Sequence, residues 1–251
     1  MNFIKDILIN NKIKRYEIKN NEIVCINSTS FTGKEIVSFH DEYVYTMLDT
    51  NEKIIFQIYQ YYIPFKRYNV SKQDFQHKPK FLKLLEHDSL YFVTDTVIGI
   101  IKPHTKDLLR FLYCEIKGYK FSNVYFLHNM TLFSSDKQYL SITTATIEKN
   151  GDESIQNLNL KYTTIHFSDV ILNVVKKTEE VIFVVLNSKI VVYDIKKYKA
   201  LDKIKTYDPW IHMFENNNEI CNMNLNNKKI EKIQLVTKIS NQNFTDVLIF
   251  C

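Results

Sequence analysis

The apolar residues of this chain fall in short runs. They are Ile23–Ile26, Tyr43–Leu48, Ile54–Tyr59, Leu90–Val93, Val97–Ile101, Val124–Leu127, Tyr139–Ile147, Val170–Val175, Val181–Leu186, Ile190–Tyr193 and Val247–Phe250. The runs are too brief for helices and rich in β-branched and aromatic side chains, which suits strands. Turns of Asn, Asp, Lys and Ser separate them. Helical spacing is confined to two places. Phe3, Ile4, Ile7 and Leu8 predict a short N-terminal helix, and Phe81 to Glu86 predict another turn or two. Neither is long enough for a helical layer. The expected fold class is all-β, with residues 1–251 forming a single domain.

The runs repeat. Tyr91-Phe92-Val93-Thr94 aligns with Ile182-Phe183-Val184-Val185, and Ile98 to Lys102 then falls on Ile190 to Asp194. Leu109 falls on Leu201 and Leu112 on Ile204. A third copy runs from Tyr43 to Leu48, turns at Asp49 to Lys53, and continues through Ile55 to Gln60 and Phe65. Each copy reads as strand, tight turn, strand, polar loop, strand. The equivalent positions Tyr59, Ile101 and Tyr193 are 42 and 92 residues apart, and Tyr139 to Ile147 supplies a copy inside the longer interval. A period of about 42–46 residues is what a four-stranded propeller blade requires.

Here the chain resembles the WD40-type β-propeller family. Tyr193-Asp194 stands where that family has its Trp-Asp pair, and Tyr59-Gln60 and Ile101-Lys102 hold the same place in degenerate form. The resemblance spans roughly Ile23 to Leu235, although no Gly-His pair precedes any copy. It implies a reduced β-propeller of about five to six blades, with Val247–Phe250 closing the ring on an N-terminal blade. Continuous apolar runs fit such small sheets, which are covered on both faces. A β-sandwich or an irregular barrel is the alternative.

Composition changes this picture little. A 45% hydrophobic and 24% charged chain can build a core and is not disordered overall. Asn, Lys, Ile, Tyr and Phe, all with AT-rich codons, are used heavily, while Gly and Pro number four each. Asn tolerates the left-handed backbone, so Asn216 to Asn218 and Asn226-Asn227 read as surface turns. Charges at Lys5, Asp6, Lys12, Lys14 and Arg15 break any apolar leader, and no stretch nears the ~20 apolar residues of a membrane span. No membrane insertion is expected. Cys25, Cys114, Cys221 and Cys251 are scattered and read as reduced thiols of a cytoplasmic or nuclear protein. The Asn-x-Ser/Thr triplets at Asn27, Asn69, Asn129 and Asn243 are about as many as an Asn-rich chain contains by chance.

The search for catalytic chemistry returns absences. Gly33, Gly99, Gly118 and Gly151 lie far apart, so no glycine-rich loop wraps a phosphate. There is no nucleophile elbow and no zinc-protease helix. The histidines never pair at ligand spacing, and the carboxylates do not cluster. No catalytic residue, metal or cofactor is assigned. An enzyme on this fold would need acids or histidines converging at the central mouth.

Binding chemistry is denser. From Pro64 to Lys83 the chain carries Lys66, Arg67, Lys72, Lys78, Lys80 and Lys83 against Asp74 alone, a surplus equal to the net charge of +5. Tyr68, Phe75, His77 and Phe81 are interleaved. Read as a basic excursion of residues 64–83, this segment offers cations for phosphates and rings, Phe75 among them, for stacking on unpaired bases. Its bland reading is a solvated excursion anchored by its aromatics. Lys189 to Lys205 is also basic and reads as solvated charge. Trp210, the only tryptophan, follows Asp208-Pro209 and is either an anchor for a protein partner or a cap on the core. The expected function is a non-catalytic interaction scaffold that binds protein subunits of a larger assembly. The alternative is an RNA- or ribosome-associated factor using segment 64–83.

Overall fold

The computed structural model describes residues 2–234 apart from 21, 41, 74, 76, 77, 104–108, 117, 150–155, 217 and 218. The run Val247–Phe250, and with it the expected ring closure, lies outside the described residues.

The chain opens with an antiparallel meander of β1 (Asn2–Ile9), β2 (Lys12–Lys19) and β3 (Glu22–Thr29). Four four-stranded sheets follow, each an antiparallel meander in chain order. The first blade holds β4 (Glu35–His40), β5 (Tyr43–Asp49), β6 (Lys53–Gln60) and β7 (Ile63–Ser71). The second holds β8 (Phe81–Leu84), β9 (Leu90–Val93), β10 (Val97–Pro103) and β11 (Leu109–Glu115). The third holds β12 (Asn123–His128), β13 (Thr131–Asp136), β14 (Tyr139–Lys149) and β15 (Gln156–His166). The fourth holds β16 (Asn173–Lys176), β17 (Val181–Val185), β18 (Lys189–Asp194) and β19 (Lys199–Lys205). The last strands, β20 (Met213–Asn216), β21 (Glu219–Asn224) and β22 (Lys229–Gln234), join the N-terminal meander in a six-stranded sheet through the single pair Lys229↔Glu22. Five sheets thus form a ring, and the closing blade is double.

Apolar seams hold the ring together. Between blades one and two, Phe75 wedges edge-on against Phe56 at 5.6 Å and Phe92 at 4.9 Å. Tyr91 and Ile100 meet Leu127 and Leu132 in the next seam, and Phe133 and Leu140 meet Ile182 and Val184 in the one after. Phe183 and Ile190 then meet Met213 and Ile220. Phe214, Cys221 and Met223 meet Tyr16, Ile18 and Ile23 within the closing sheet. Finally Ile13 of β2 meets Ile36, Val44 and Tyr59 of the first blade. The closing sheet therefore behaves as two wedges, one on each side of a seam.

Both helix expectations are corrected. Phe3 to Leu8 lies in β1, paired residue for residue with β2 from Asn2↔Lys19 to Ile9↔Lys12. Phe81–Leu84 is the inner strand β8, followed only by a 3-10 turn at Glu86–Asp88. A short apolar run carries too little periodicity to separate the two states, and a partner strand decides it. The repeat alignment holds in space: Tyr59-Gln60, Ile101-Lys102 and Tyr193-Asp194 lie at or near the ends of third strands β6, β10 and β18. Asp194 is buried there, and its Oδ1 accepts the amide N–H of Lys196 at 2.9 Å and Lys197 at 2.8 Å, shaping the turn into β19.

Scarce glycine has a conformational cost. Hairpins at Asn10-Asn11, Tyr61-Tyr62 and Asn129-Met130 are closed by two residues that both have positive φ, between 45° and 67°. That is the type I′ geometry matched to strand twist, normally built with Asn-Gly. Tyr and Met in it cost on the order of 1 kcal/mol each.

Candidate interaction surface

Strand alternation sends the turns to two opposite rims. Turns between first and second strands and between third and fourth strands share one rim. Residues 61–62, 85–89, 129–130, 177–180 and 195–198 lie there. Turns 50–52 and 94–96 and the crossings between blades lie on the other.

The basic segment spans both rims. Strand β7 carries Lys66 and Arg67 near the first rim, the crossing 72–80 puts Lys72, Lys78 and Lys80 on the second, and β8 returns Lys83 toward the first. Most of these cations have acidic partners from elsewhere in the fold. Lys66 pairs with Asp88, Lys72 with Asp49 at 2.5 Å, Lys78 with Glu35 at 2.8 Å, and Lys80 with Asp95. The Lys80 ammonium, followed by nearby Lys120, holds the Asp95 carboxyl below its ordinary range. Arg67 donates from Nε to Asn69 Oδ1 at 3.0 Å. Of the interleaved rings, Tyr68, Phe75 and Phe81 are buried. Stacking of a base on Phe75 would need that ring to leave the first seam. Trp210 is also interior, 5% exposed among Phe183, Ile190, Ile204 and Met213, whereas Tyr207 in the same loop is 97% exposed.

The first rim carries features that no local motif announced. At the β6–β7 hairpin, Tyr61 and Ile63 are each 68% exposed and Phe65 is 50% exposed. Next to it, Lys66 and the Tyr68 hydroxyl, at 2.8 Å from the Asp88 carbonyl, tie β7 to the turn at His87-Asp88. Beyond that turn a groove of about 620 Å³ opens between blades two and three. Ile100, Leu127 and Ala145 form its buried floor, and Leu85, Met130 and Ile147 stand half-buried on its walls. Lys83, Lys102, His87 and His128 line it, with Glu86 the acid among its lining residues. Lys83 Nζ donates to Leu127 O at 3.1 Å, linking the two blades at the groove. The signal available in the sequence was Lys83 alone.

A cleft of about 580 Å³ at the ring centre touches Lys5, Asp6, His40 and His212. Its acid is already engaged. Arg15 donates to both Asp6 oxygens at 2.9 Å, and Tyr62 Oη donates to Oδ2 at 2.8 Å. Burial works against the Asp6 carboxylate, but these donors together hold its pKa below the ordinary value. Burial, and then the bond to Asp6, push the Tyr62 hydroxyl up to about 12. His40 Nε2 lies 2.8 Å from Leu82 O, and burial pushes the His212 imidazole down. Among the described residues no group of His, Cys, Asp and Glu is arranged to hold a metal ion.

Small antiparallel sheets stacked as wedges around an axis define a β-propeller. Among solved structures the chain is similar to Hsv2 of Kluyveromyces lactis, at 11% identity over 92% of this chain and 70% of that one, with a TM-score of 0.51. It is also similar to a protein of unknown function from Bacteroides caccae, at 10% identity over 89% of this chain and 86% of that one, with a TM-score of 0.50. At such identities the likeness concerns the fold alone. No protein-family model matches the chain, and no curated protein matches it. No helix among the described residues is long and apolar enough to cross a membrane.

Proposed function

We propose that the protein is a non-catalytic interaction scaffold of the cytoplasm or nucleus. It holds protein partners in a larger assembly, on a propeller of WD40 type whose Trp-Asp pair survives as Tyr193-Asp194. The supporting observation is the β6–β7 tip. Three large apolar side chains within five residues stand in solvent, and Tyr61 does so at φ +48°. A strained, exposed tyrosine contributes little to the isolated fold, whereas tyrosine is among the commonest anchors of protein interfaces.

The test is recovery of tagged protein from its own cells, with and without ribonuclease, for the wild type and for Tyr61→Asn with Ile63→Thr. Asn suits a left-handed turn and Thr suits a strand, so the fold is retained. The expected result is a fixed set of proteins that resists ribonuclease and falls roughly tenfold in the variant. Recovery that is lost on ribonuclease treatment would support the RNA- or ribosome-associated alternative. Equal recovery by the variant overturns the role given to the tip.

A further inference from the structure

In blades two and four the second and third strands pair apolar side chains in the interior, as in Val93↔Ile98 and Val184↔Val191. Blade three departs from this. Ser134 of β13 lies directly opposite Ser141 of β14, and both are buried. Strand alternation puts them on the face that carries Leu132, toward the seam with blade two. Tyr119 reaches the same seam from the crossing that enters blade three. That crossing is fixed on either side of the ring: the Phe121 amide donates to Asp95 O at 2.7 Å, and Ser122 Oγ donates to Asp136 Oδ1 at 2.7 Å.

Burial pushes the Tyr119 hydroxyl above its ordinary range, and the Ser134 and Ser141 hydroxyls ease it back. The two serines are thus its polar neighbours, yet neither Tyr119 Oη nor Ser134 Oγ closes a hydrogen bond among the described residues. Ser141 Oγ lies 3.0 Å from Thr143 Oγ1, and a hydroxyl in one such bond keeps capacity for another. A buried hydroxyl left without a bond destabilises a fold, and a bridging water restores the bond almost as well as a direct partner. Three neighbouring hydroxyls also supply the two to four polar partners that an internal water takes. The Tyr91 hydroxyl gives the contrast. It is buried and unbonded in the same seam, but burial alone raises it, and no described polar group acts on it. A water there would find one partner only.

We propose that Tyr119, Ser134 and Ser141 form a binding site for one internal water, which ties the crossing from blade two to the interior of blade three. The site lies toward the second rim, and the groove opens the same seam on the first.

The experiment is oxygen-17 relaxation dispersion of the solvent, which counts waters held longer than the protein takes to tumble and is blind to exchange of hydroxyl protons. The samples are the wild type, Tyr119→Phe with Ser134→Ala, Ser141→Ala alone, and Tyr91→Phe. The double variant should lose the amplitude of roughly one water, and Tyr91→Phe should keep the full amplitude. These substitutions remove hydroxyls and leave the apolar packing in place. If the double variant nonetheless unfolds, Ser141→Ala reads the same site through one partner, and its amplitude should fall. Equal amplitude in the wild type and in the serine and Tyr119 variants overturns the proposal. So does a loss in Tyr91→Phe as large as in the double variant, because it would put the water elsewhere in the seam.

Discussion

Removing the charge of Asp6 should loosen the seam between the N-terminal meander and the first blade. Asp6 of β1 accepts two hydrogen bonds from Arg15 of β2, each at 2.9 Å, and a third at 2.8 Å from the hydroxyl of Tyr62, a turn residue of the first blade. The guanidinium also lies 5.6 Å from the Tyr62 ring centre. The apolar seam beneath this clasp is small, built on Ile13, Ile36, Val44 and Tyr59. A shielded charged hydrogen bond is worth about 1.5–3 kcal/mol. The Asp6 side chain is 16% exposed but that of Arg15 is 37% exposed, so solvent screening takes much of the sum. Asp6→Asn should therefore cost about 2 kcal/mol, or roughly 4–8 °C in Tm for a chain of this size. The sign with pH follows from the depressed carboxyl. Its stabilisation is complete above the unfolded value of about 3.9 and is lost as pH falls through the folded pKa. Calorimetry at pH 7 and at pH 3 on the wild type, Asp6→Asn, Arg15→Gln and the double variant measures both effects. The gap between wild type and Asp6→Asn should be full at pH 7 and smaller at pH 3, with a coupling of about 1 kcal/mol in the cycle. A variant that melts with the wild type at pH 7, or a gap unchanged in acid, would refute the clasp.

Other positions test the packing and the charge assignment. At Gly99 a Cβ would lie 2.2 Å from the Phe92 ring and 2.8 Å from the Leu112 carbonyl oxygen, so Gly99→Ala should lower stability by about 2–3 kcal/mol in urea titrations. An unchanged midpoint would contradict that geometry. Trp210 is buried, so native emission should be blue-shifted and resist iodide, and Trp210→Ala should cost about 3–5 kcal/mol. Native fluorescence quenched as freely as in urea would put the indole outside the seam. Reversing Lys78 and Lys80 to Glu breaks pairs with Glu35 and Asp95 on the second rim, and partner recovery should survive it. Loss of recovery in that variant would move the binding surface to the second rim.

The strands that announced themselves are those apolar on both faces. β9, β10, β17 and β18 are almost wholly buried because each lies between neighbouring sheets. Their continuous runs and their period were therefore readable. The outer strands were fainter: β7 buries only Tyr68 and Val70 and was marked by Phe65 alone, and β3, marked by the run Ile23–Ile26, buries Ile23 alone among eight residues. The repeat rather than their own pattern placed β7, β11 and β19. The N-terminal segment failed for a related reason. Apolar residues at positions 3, 4, 7 and 8 satisfy a helix, and only the register with β2 shows that they form a strand.

The candidate surface was less legible because a charge run is a one-dimensional quantity. Residues 64–83 carry five excess positive charges in order, but an outer strand, a crossing and an inner strand distribute them over opposite rims. Their partners Asp49, Asp88, Asp95 and Glu35 come from turns and strands that the segment does not contain. Proximity in sequence thus exaggerates a patch whenever consecutive residues cross from one rim to the other. The converse holds for the groove. Lys83, Lys102 and Met130 span nearly fifty positions and converge only because blades two and three stack. In a propeller, a residue's rim is set by which strand it ends, and its neighbours by which blade follows. The useful sequence signal for a site is therefore the same turn position in successive repeats. Here those positions are His87 and Asn129-Met130, both between first and second strands, and both border the groove.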